Sequence, residues 1–503
     1  MTVLDRVKAP SALQINAADN VAVLIAPAQK GDVISLNGVQ IAMRAPVAAG
    51  HKTALRLIAA GEAVIKYGAA IGIATADIEP GEHVHTHNLR TALDGVETYE
   101  YSGNAGAAAQ SENTSSFMGY RRGDGRVGTR NEIWIIPTVG CVAKTAERIA
   151  AQANKNLNGR VDGVRAFAHP FGCSQLGDDL DGTRSILAAL GGHPNAGGVV
   201  FIGLGCESNQ LDKLISSATS LNPERLRTVR SQQVTDEYEA GLEAVEALLE
   251  ICSADKREEC SAANLVIGVK CGGSDGFSGL TANPLVGRMT DRVTAAGGAA
   301  ILTEIPEIFG AEKPLLARCA NRDVFDALVR VVNDFKSYFL DHNQPIYENP
   351  SPGNIAGGIT TLEEKSLGAV QKAGTRAVVS DVIRYGESAS KKGLTILEAP
   401  GNDAVSSTAL TAAGATIILF TTGRGTPLGF PAPTIKIASN SALAAQKPRW
   451  IDFDAGAVLE GVSADEAGEA LWRKVLEVAS GAPARNEEND ERSIAIWKRG
   501  VTL

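Results

Sequence analysis

The 503-residue sequence has no stripe of clustered lysine and arginine; its 48 basic and 57 acidic residues are interspersed, with a net charge of -9. Phosphate neutralisation needs clustered cations, so nucleic acid is excluded as a partner. No apolar run reaches the roughly 18 residues that a membrane span needs. The opening MTVLDRVKAP lacks the charged start, apolar stretch and cleavage site of a signal peptide. Cysteine is sparse and odd in number, seven in all, which predicts reduced thiols in the cytoplasm rather than a disulfide framework. Only 4 Trp and 8 Tyr stand against 53 Gly, a bias toward tight turns and close backbone approach. Neither the dinucleotide fingerprint nor the phosphate-binding loop is completed by Gly203-Leu-Gly205 or by the loop from Cys271 to Gly276. Nicotinamide cofactors and nucleotides are set aside on those two loops. No internal repeat is visible.

What is present falls into two grammars. Over residues 1–100 short β segments (VAVLIA at 21–26, AVIKY at 63–67, and the run around His83 to His87) alternate with Gly, Pro and Asp turns, which predicts a compact all-β module. Residues 101–118 contain SGNAGAAAQSENTSSF, polar and without periodicity, and read as a linker. Beyond it, strand-length apolar runs recur: IWIIPTV, VRAFAH, VVFIGL, LVIGV, AVVSDVI and TIILFTT. Helical stretches such as 143–152 and 238–252 lie between them. Near-continuous apolar strands alternating with helices predict mostly parallel sheets covered on both faces, with ligands beyond the carboxyl ends of the strands. A boundary near residue 262 divides this part into 119–262 and 263–503.

Three of the seven histidines fall in His83-Val-His85-Thr-His87-Asn88. On a strand, period two puts the three imidazoles on one face, as metal ligands, as groups binding substrate hydroxyls, or as a solvated face. Cys141, Cys173, Cys206 and Cys271 each follow a strand end beside glycine, where parallel strands would bring thiols to one edge; singly, each reads equally as a small buried hydrophobe. Cys252, Cys260 and Cys319 look incidental. His169, Glu304, Glu307, Asp403 and Arg424 occupy similar strand-end positions. Carboxylates there suit a hard cation or acid–base work, and an arginine between glycines suits a substrate carboxylate. The alternative for each is a loop residue satisfying backbone.

HVHTHN, GDGRVGTRNEIWIIPTVGC, FGCSQLGDD, IGLGCESNQ, KCGGSDGFSGLTANP, ENPSPGN, APGND and TTGRGTP together resemble the altronate and galactarate dehydratase family, over nearly the whole chain. HVHTHN, IYENPSPGN and the RGVTL ending are more similar to the altronate branch. The resemblance implies dehydration of D-altronate to 2-dehydro-3-deoxy-D-gluconate in hexuronate breakdown, with galactarate dehydration or a non-catalytic sugar-acid sensor as alternatives. It implies ferrous iron, with manganese as a substitute, a β-clip (SAF-like) N-terminal domain, a second domain supporting a homodimer, and a Rossmann-like C-terminal domain. On that footing His85, His87 and His169 are the acid–base candidates, and Arg130, Ser274, Asp275 and Arg424 the substrate-binding ones. Cys141, Cys173, Cys206, Cys271, Glu304 and Asp403 are the metal candidates. An iron–sulfur cluster held by three of the four strand-end cysteines is the alternative to a single iron.

Overall fold

The structure, a computed structural model, describes residues 11–103 and 115–503; residues 104–114 of the expected linker lie outside the described residues. The first part is built from strands of two to six residues in antiparallel sheets. Val21–Leu24 and Lys52–Ala54 are central in one, with His83–Val84 at its edge. Its turns explain its shortness of strand. Leu36 pairs with Val39 across Asn37-Gly38, both at positive φ, the two-residue hairpin turn that asparagine and glycine favour. Val21, Ala54, Ile58, Val64, Ile71, Ile78 and Val84 form its core.

The next part is a four-stranded parallel sheet in the order Gly163–Ala166, Glu132–Pro137, Ala196–Gly203, Leu226–Arg230. Side chains alternate across it. Ile133 and Ile135 pack with Ile149, Val245 and Leu248 of helices Ala143–Asn154 and Glu237–Cys252. Trp134 and Ile136 face the other way, into a core shared with Ile301, Leu410, Ile418 and Phe420 of the last part. The two parallel sheets are thus fused through one apolar layer.

That last part is a seven-stranded, fully parallel sheet ordered Val379–Ile383, Gly393–Leu397, Ala299–Leu302, Val266–Cys271, Ile417–Thr422, Thr434–Ala438, Phe453–Asp454. The chain enters at the central strand Val266–Cys271, adds Ala299–Leu302 beside it, goes to the edge strand Val379–Ile383 and fills the gap with Gly393–Leu397, then crosses back to build on the other side. The carboxyl end of Val266–Cys271 is therefore a switch point, where the two halves diverge and leave a crevice. Among the described residues no helix is long and apolar enough to cross a membrane.

Candidate functional site

The crevice is floored by charge. The lysine that ends the otherwise apolar run of Val266–Cys271 is fully buried, and its Nζ donates to Glu304 Oε1 (2.8 Å) and Asp403 Oδ1 (2.6 Å). The Cys271 thiol donates to Glu307 Oε2 (2.8 Å) and takes the Lys372 ammonium at 2.7 Å; Lys365 closes on Glu307 at 2.8 Å. Glu304 sits at φ 68°, turned so that its Oε2 accepts the Cys271 amide (2.9 Å). Burial, with the charges of Glu304 and Glu307 behind it, pushes the Cys271 thiol up and keeps it protonated. Burial works against Lys270 too, but Asp403 and Glu304 hold its pKa above the ordinary lysine range. Three ammoniums thus face three carboxylates. Cys271, Glu304 and Glu307 offer ligand atoms within 4.8 Å of one another, yet their charge is already matched by lysine.

Asp403 is the one member of this network that reaches solvent, with 35% of its side chain exposed against 0% for Lys270. It lies beside Gly272, and Arg424 lies against Gly273. Arg424 is exposed, and its guanidinium has no hydrogen-bond or ion-pair partner among the described residues. An unpaired guanidinium at a strand end is free to take a carboxylate in bidentate fashion. Ser274 and Asp275 are buried and bound to their own loop and to the segments packed against it. Asp275 accepts from Ser278, Ser439, Phe277 and Asn440, and the Ser274 carbonyl accepts from Asn354.

Over this crevice lies the N-terminal module. A Cβ on Gly276 would stand 1.9 Å from the Gly50 carbonyl, and one on Gly358 2.4 Å from it, so both positions exclude a side chain for the module to seat. A buried ionic latch fastens it. Lys52 and Lys66 bind the two oxygens of Glu364 at 2.9 and 2.7 Å. Burial pushes Lys52 down to about 8. Burial alone would raise Glu364, but the two ammoniums hold it far below the carboxylate range.

The seated module presents His51, His83 and His85, whose ring nitrogens lie within 4.8 Å of one another. His51 Nδ1 is 3.1 Å from His83 Nε2. His51 Nε2 faces the Ala356 carbonyl (3.3 Å) and His85 Nε2 the Ile355 carbonyl (3.1 Å). A carbonyl only accepts, so both rings carry Nε2–H, and their Nδ1 atoms accept, His51 from His83 Nε2 and His85 from the Thr86 hydroxyl (3.1 Å). Imidazoles that bind metals characteristically give their other N–H to such a carbonyl. Burial, then the neighbouring His85 and His51, push His83 down to about 3, and burial lowers His51 and His85. Neutral, convergent imidazoles are the donor set that suits ferrous iron or manganese, and on that chemistry the residues fit the implied ion.

The histidine run is not one strand. The ladder stops at Val84 because Asn88 closes a turn, its Oδ1 accepting the His85 amide and its Nδ2 donating to the His83 carbonyl. His87 is exposed, 5.7 Å from His83 ring to ring, with no hydrogen-bond partner among the described residues. The other expected residues are dispersed. Cys271 belongs to the seven-stranded sheet, whereas Cys141, Cys173 and Cys206 are exposed beyond the strands of the four-stranded one, so the four thiols do not share an edge. His169 is buried with Nε2 on the Pro137 carbonyl and Nδ1 accepting the Phe171 amide; neither nitrogen is left for proton transfer. Arg130 is buried, paired with Glu487 (2.7 Å) and bound to the carbonyls of Thr129, Val478 and Ala482, and holds structure rather than substrate. Sequence reasoning missed His51 and the lysines 270, 365 and 372. A lysine ending an apolar strand was the available signal for the first of these lysines.

The chain was compared with known proteins. The family described as "D-galactarate/Altronate dehydratase, C-terminal" matches residues 262–502, its second domain residues 119–253, and the "Altronate/galactarate dehydratase SAF domain" residues 10–92. Altronate dehydratase of Escherichia coli (strain K12) is 50% identical over 493 residues, 98% of this chain and 99% of that one. Altronate dehydratase of Bacillus subtilis (strain 168) is 48% identical over 499 residues, 98% and 100%. Galactarate dehydratase (L-threo-forming) of Escherichia coli is 32% identical over 510 residues, 93% and 92%.

Proposed function

The chain belongs to the altronate/galactarate dehydratase family, and from that membership we propose that it is a hydro-lyase converting D-altronate to 2-dehydro-3-deoxy-D-gluconate in hexuronate breakdown. The observation that carries the reading is the near-full-length identity of about half with two altronate dehydratases.

The chemistry removes the proton beside the substrate carboxylate and the hydroxyl on the next carbon; the enol so formed ketonises, and water is the only other product. Arg424 would hold the carboxylate and so fix the adjacent carbon. The exposed edge of Asp403, its other oxygen pinned by Lys270, would accept a substrate hydroxyl. The unpartnered His87 imidazole would take or return the proton. We assign the ferrous ion, or manganese, to His51, His83 and His85. Bound there, it would supply a positive charge to stabilise the enediolate-like state. The Cys271–Glu304–Glu307 group is the weaker site, because three lysines already neutralise it. Seven free cysteines support a cytoplasmic location, and a homodimer is expected from the family resemblance.

The test is 2-keto-3-deoxy acid formation by anaerobically purified protein, with altronate and galactarate in parallel, with and without ferrous iron. Iron-dependent turnover of altronate is expected, and His83→Gln should lower both bound iron and rate. Turnover of galactarate alone would overturn the substrate. Unchanged iron in the histidine variant would overturn the assignment of the ion.

A further inference from the structure

The motif ENPSPGN, residues 348–354, has no part in the reaction as described, yet it is fastened to both the crevice and the module. Ser351 caps the short helix Pro352–Ala356, its hydroxyl bonded to Asn354. Asn354 is buried, and its Nδ2 donates to the Ser274 carbonyl (2.9 Å), on the loop that follows the central strand. Ile355 and Ala356, at the end of that helix, supply the carbonyls that hold His85 and His51. The segment is thus pinned to the sheet on one side and to the module on the other. Asn349 stands at its start, half-buried.

The orientation of the Asn349 amide follows from its neighbour. Lys365 Nζ is 2.9 Å from Asn349 Oδ1 and 2.8 Å from Glu307 Oε1. An ammonium has only hydrogens to give, so the amide atom facing it is the oxygen, and the nitrogen is turned away. Burial works against the charge on Lys365, but Glu307 holds its pKa above the ordinary lysine range. The ammonium persists, and a flipped amide would set N–H against N–H. Asn349 Nδ2 has no hydrogen-bond partner among the described residues. A Cβ on Gly401 would meet this nitrogen at 4.0 Å and, its own chain neighbours apart, nothing nearer, so the space around it is open. Gly401 lies two residues before Asp403, in a turn held by Asn402, whose Oδ1 accepts the Ala404 and Val405 amides. A fixed amide with free N–H donors therefore faces open space beside the turn that carries Asp403.

Strand order sets the direction of a bound substrate. Arg424 follows Ile417–Thr422, on one side of Val266–Cys271. Glu307 and Gly401 follow Ala299–Leu302 and Gly393–Leu397, on the other side. A sugar acid with its carboxylate on Arg424 runs its carbon chain across the Gly272-Gly273 loop toward Asn349. We propose that Asn349 is a specificity residue: its Nδ2 donates to a substrate hydroxyl beyond the two carbons that react, and Lys365 positions the amide. The inference rests on the sugar-acid dehydration proposed above and extends it to the part of the substrate that does not react. A hydroxyl that does not react is bound alike in ground state and transition state, so the contact acts on KM more than on kcat.

The experiment compares altronate with analogues lacking the hydroxyl on the fourth, fifth or sixth carbon, in wild type and in Asn349→Ala. With altronate, Asn349→Ala should lower kcat/KM about tenfold, the loss of one neutral hydrogen bond, mostly through KM. One of the three analogues should show a similar loss in wild type and no further loss in the variant. Asn349→Asp keeps an oxygen on Lys365 and removes the donor, so it repeats the test in a chain whose buried lysine is still paired; it too should be indifferent to that hydroxyl. Losses that add for all three analogues would mean that the amide only braces Lys365, and would overturn the proposal. So would an undiminished kcat/KM for altronate in either variant. Additive losses in a chain that turns over altronate condemn the role of Asn349 alone. Wild type that turns over no sugar acid condemns the assigned reaction, and this role with it.

Discussion

The carboxyl edges of the two parallel sheets are written in similar residues and end differently. At the four-stranded edge the glycine–cysteine steps lie beyond the strands, the loops are knitted backbone to backbone, and the thiols face outward. At the seven-stranded edge Cys271 is the last residue of the strand itself. It is drawn into a buried net of three lysines and three carboxylates, over which a second folded body is seated. A cysteine inside the ladder inherits the dry interior and stays a thiol. A cysteine past it inherits a loop, a helix end and solvent. A few residues of offset from the strand end separate a buried ionic floor from an exposed edge of thiols.

The comparison breaks most visibly at Lys270. Lys270→Met removes the ammonium shared by Glu304 and Asp403 and should cost about 3–5 kcal/mol of unfolding free energy, the scale of a broken buried pair. Cys206→Ala at the other edge should change it by less than about 0.5 kcal/mol; urea unfolding of the pair checks both. Equal losses would mean that the exposed edge is as cohesive as the buried one.

The joint between the sheets is sensitive to acid. His193 stacks on Trp134 with ring centroids 5.0 Å apart, accepts the Asn195 amide at Nδ1 and gives Nε2–H to the Ala415 carbonyl. Burial holds its pKa down to about 3. The unfolded chain takes up this proton below the ordinary value near 6.5, whereas the folded one does so only near 3. Stability therefore falls as pH drops through that window, by about 1.4 kcal/mol per unit from this one group. Urea midpoints at pH 7, 5.5 and 4.5 should show it, with a slope one proton shallower in His193→Asn.

The smallest of the three effects is on rate alone. Arg424→Gln should lower kcat/KM for altronate by about 10- to 100-fold, the loss of charged hydrogen bonds worth about 1.5–3 kcal/mol. The melting midpoint should not move, because the guanidinium has no partner to lose. An unchanged kcat/KM would remove Arg424 from the substrate's carboxylate.

Both sheets were legible because fully covered parallel strands read as continuous apolar runs, and the module because its turns are spelled in glycine, proline and aspartate. The sites were legible only where their residues are neighbours in the chain. His83 and His85 stand together in HVHTHN, but His51 joins them from 32 residues away, across an antiparallel pairing that no local pattern records. Arg130 and His169 carry functional residue types at strand ends, yet each has its polar atoms spent on the protein. Burial decides that, and a sequence does not display it. The thiols were legible as a set of four because the strand grammar repeats; which sheet each strand enters is a matter of tertiary topology.

The hydrogen bond from His51 to the Ala356 carbonyl spans 305 residues. A ribosome adds roughly 5–20 residues per second, so the imidazole exists on the order of 15–60 s before its acceptor is made, at those rates. During that interval the nascent chain carries His51 and His85 without their carbonyl acceptors, and a product cut short before residue 355 would never acquire them. The bonds that hold these imidazoles are therefore completed late in synthesis, after the last-made body has folded and the first-made one has settled on it.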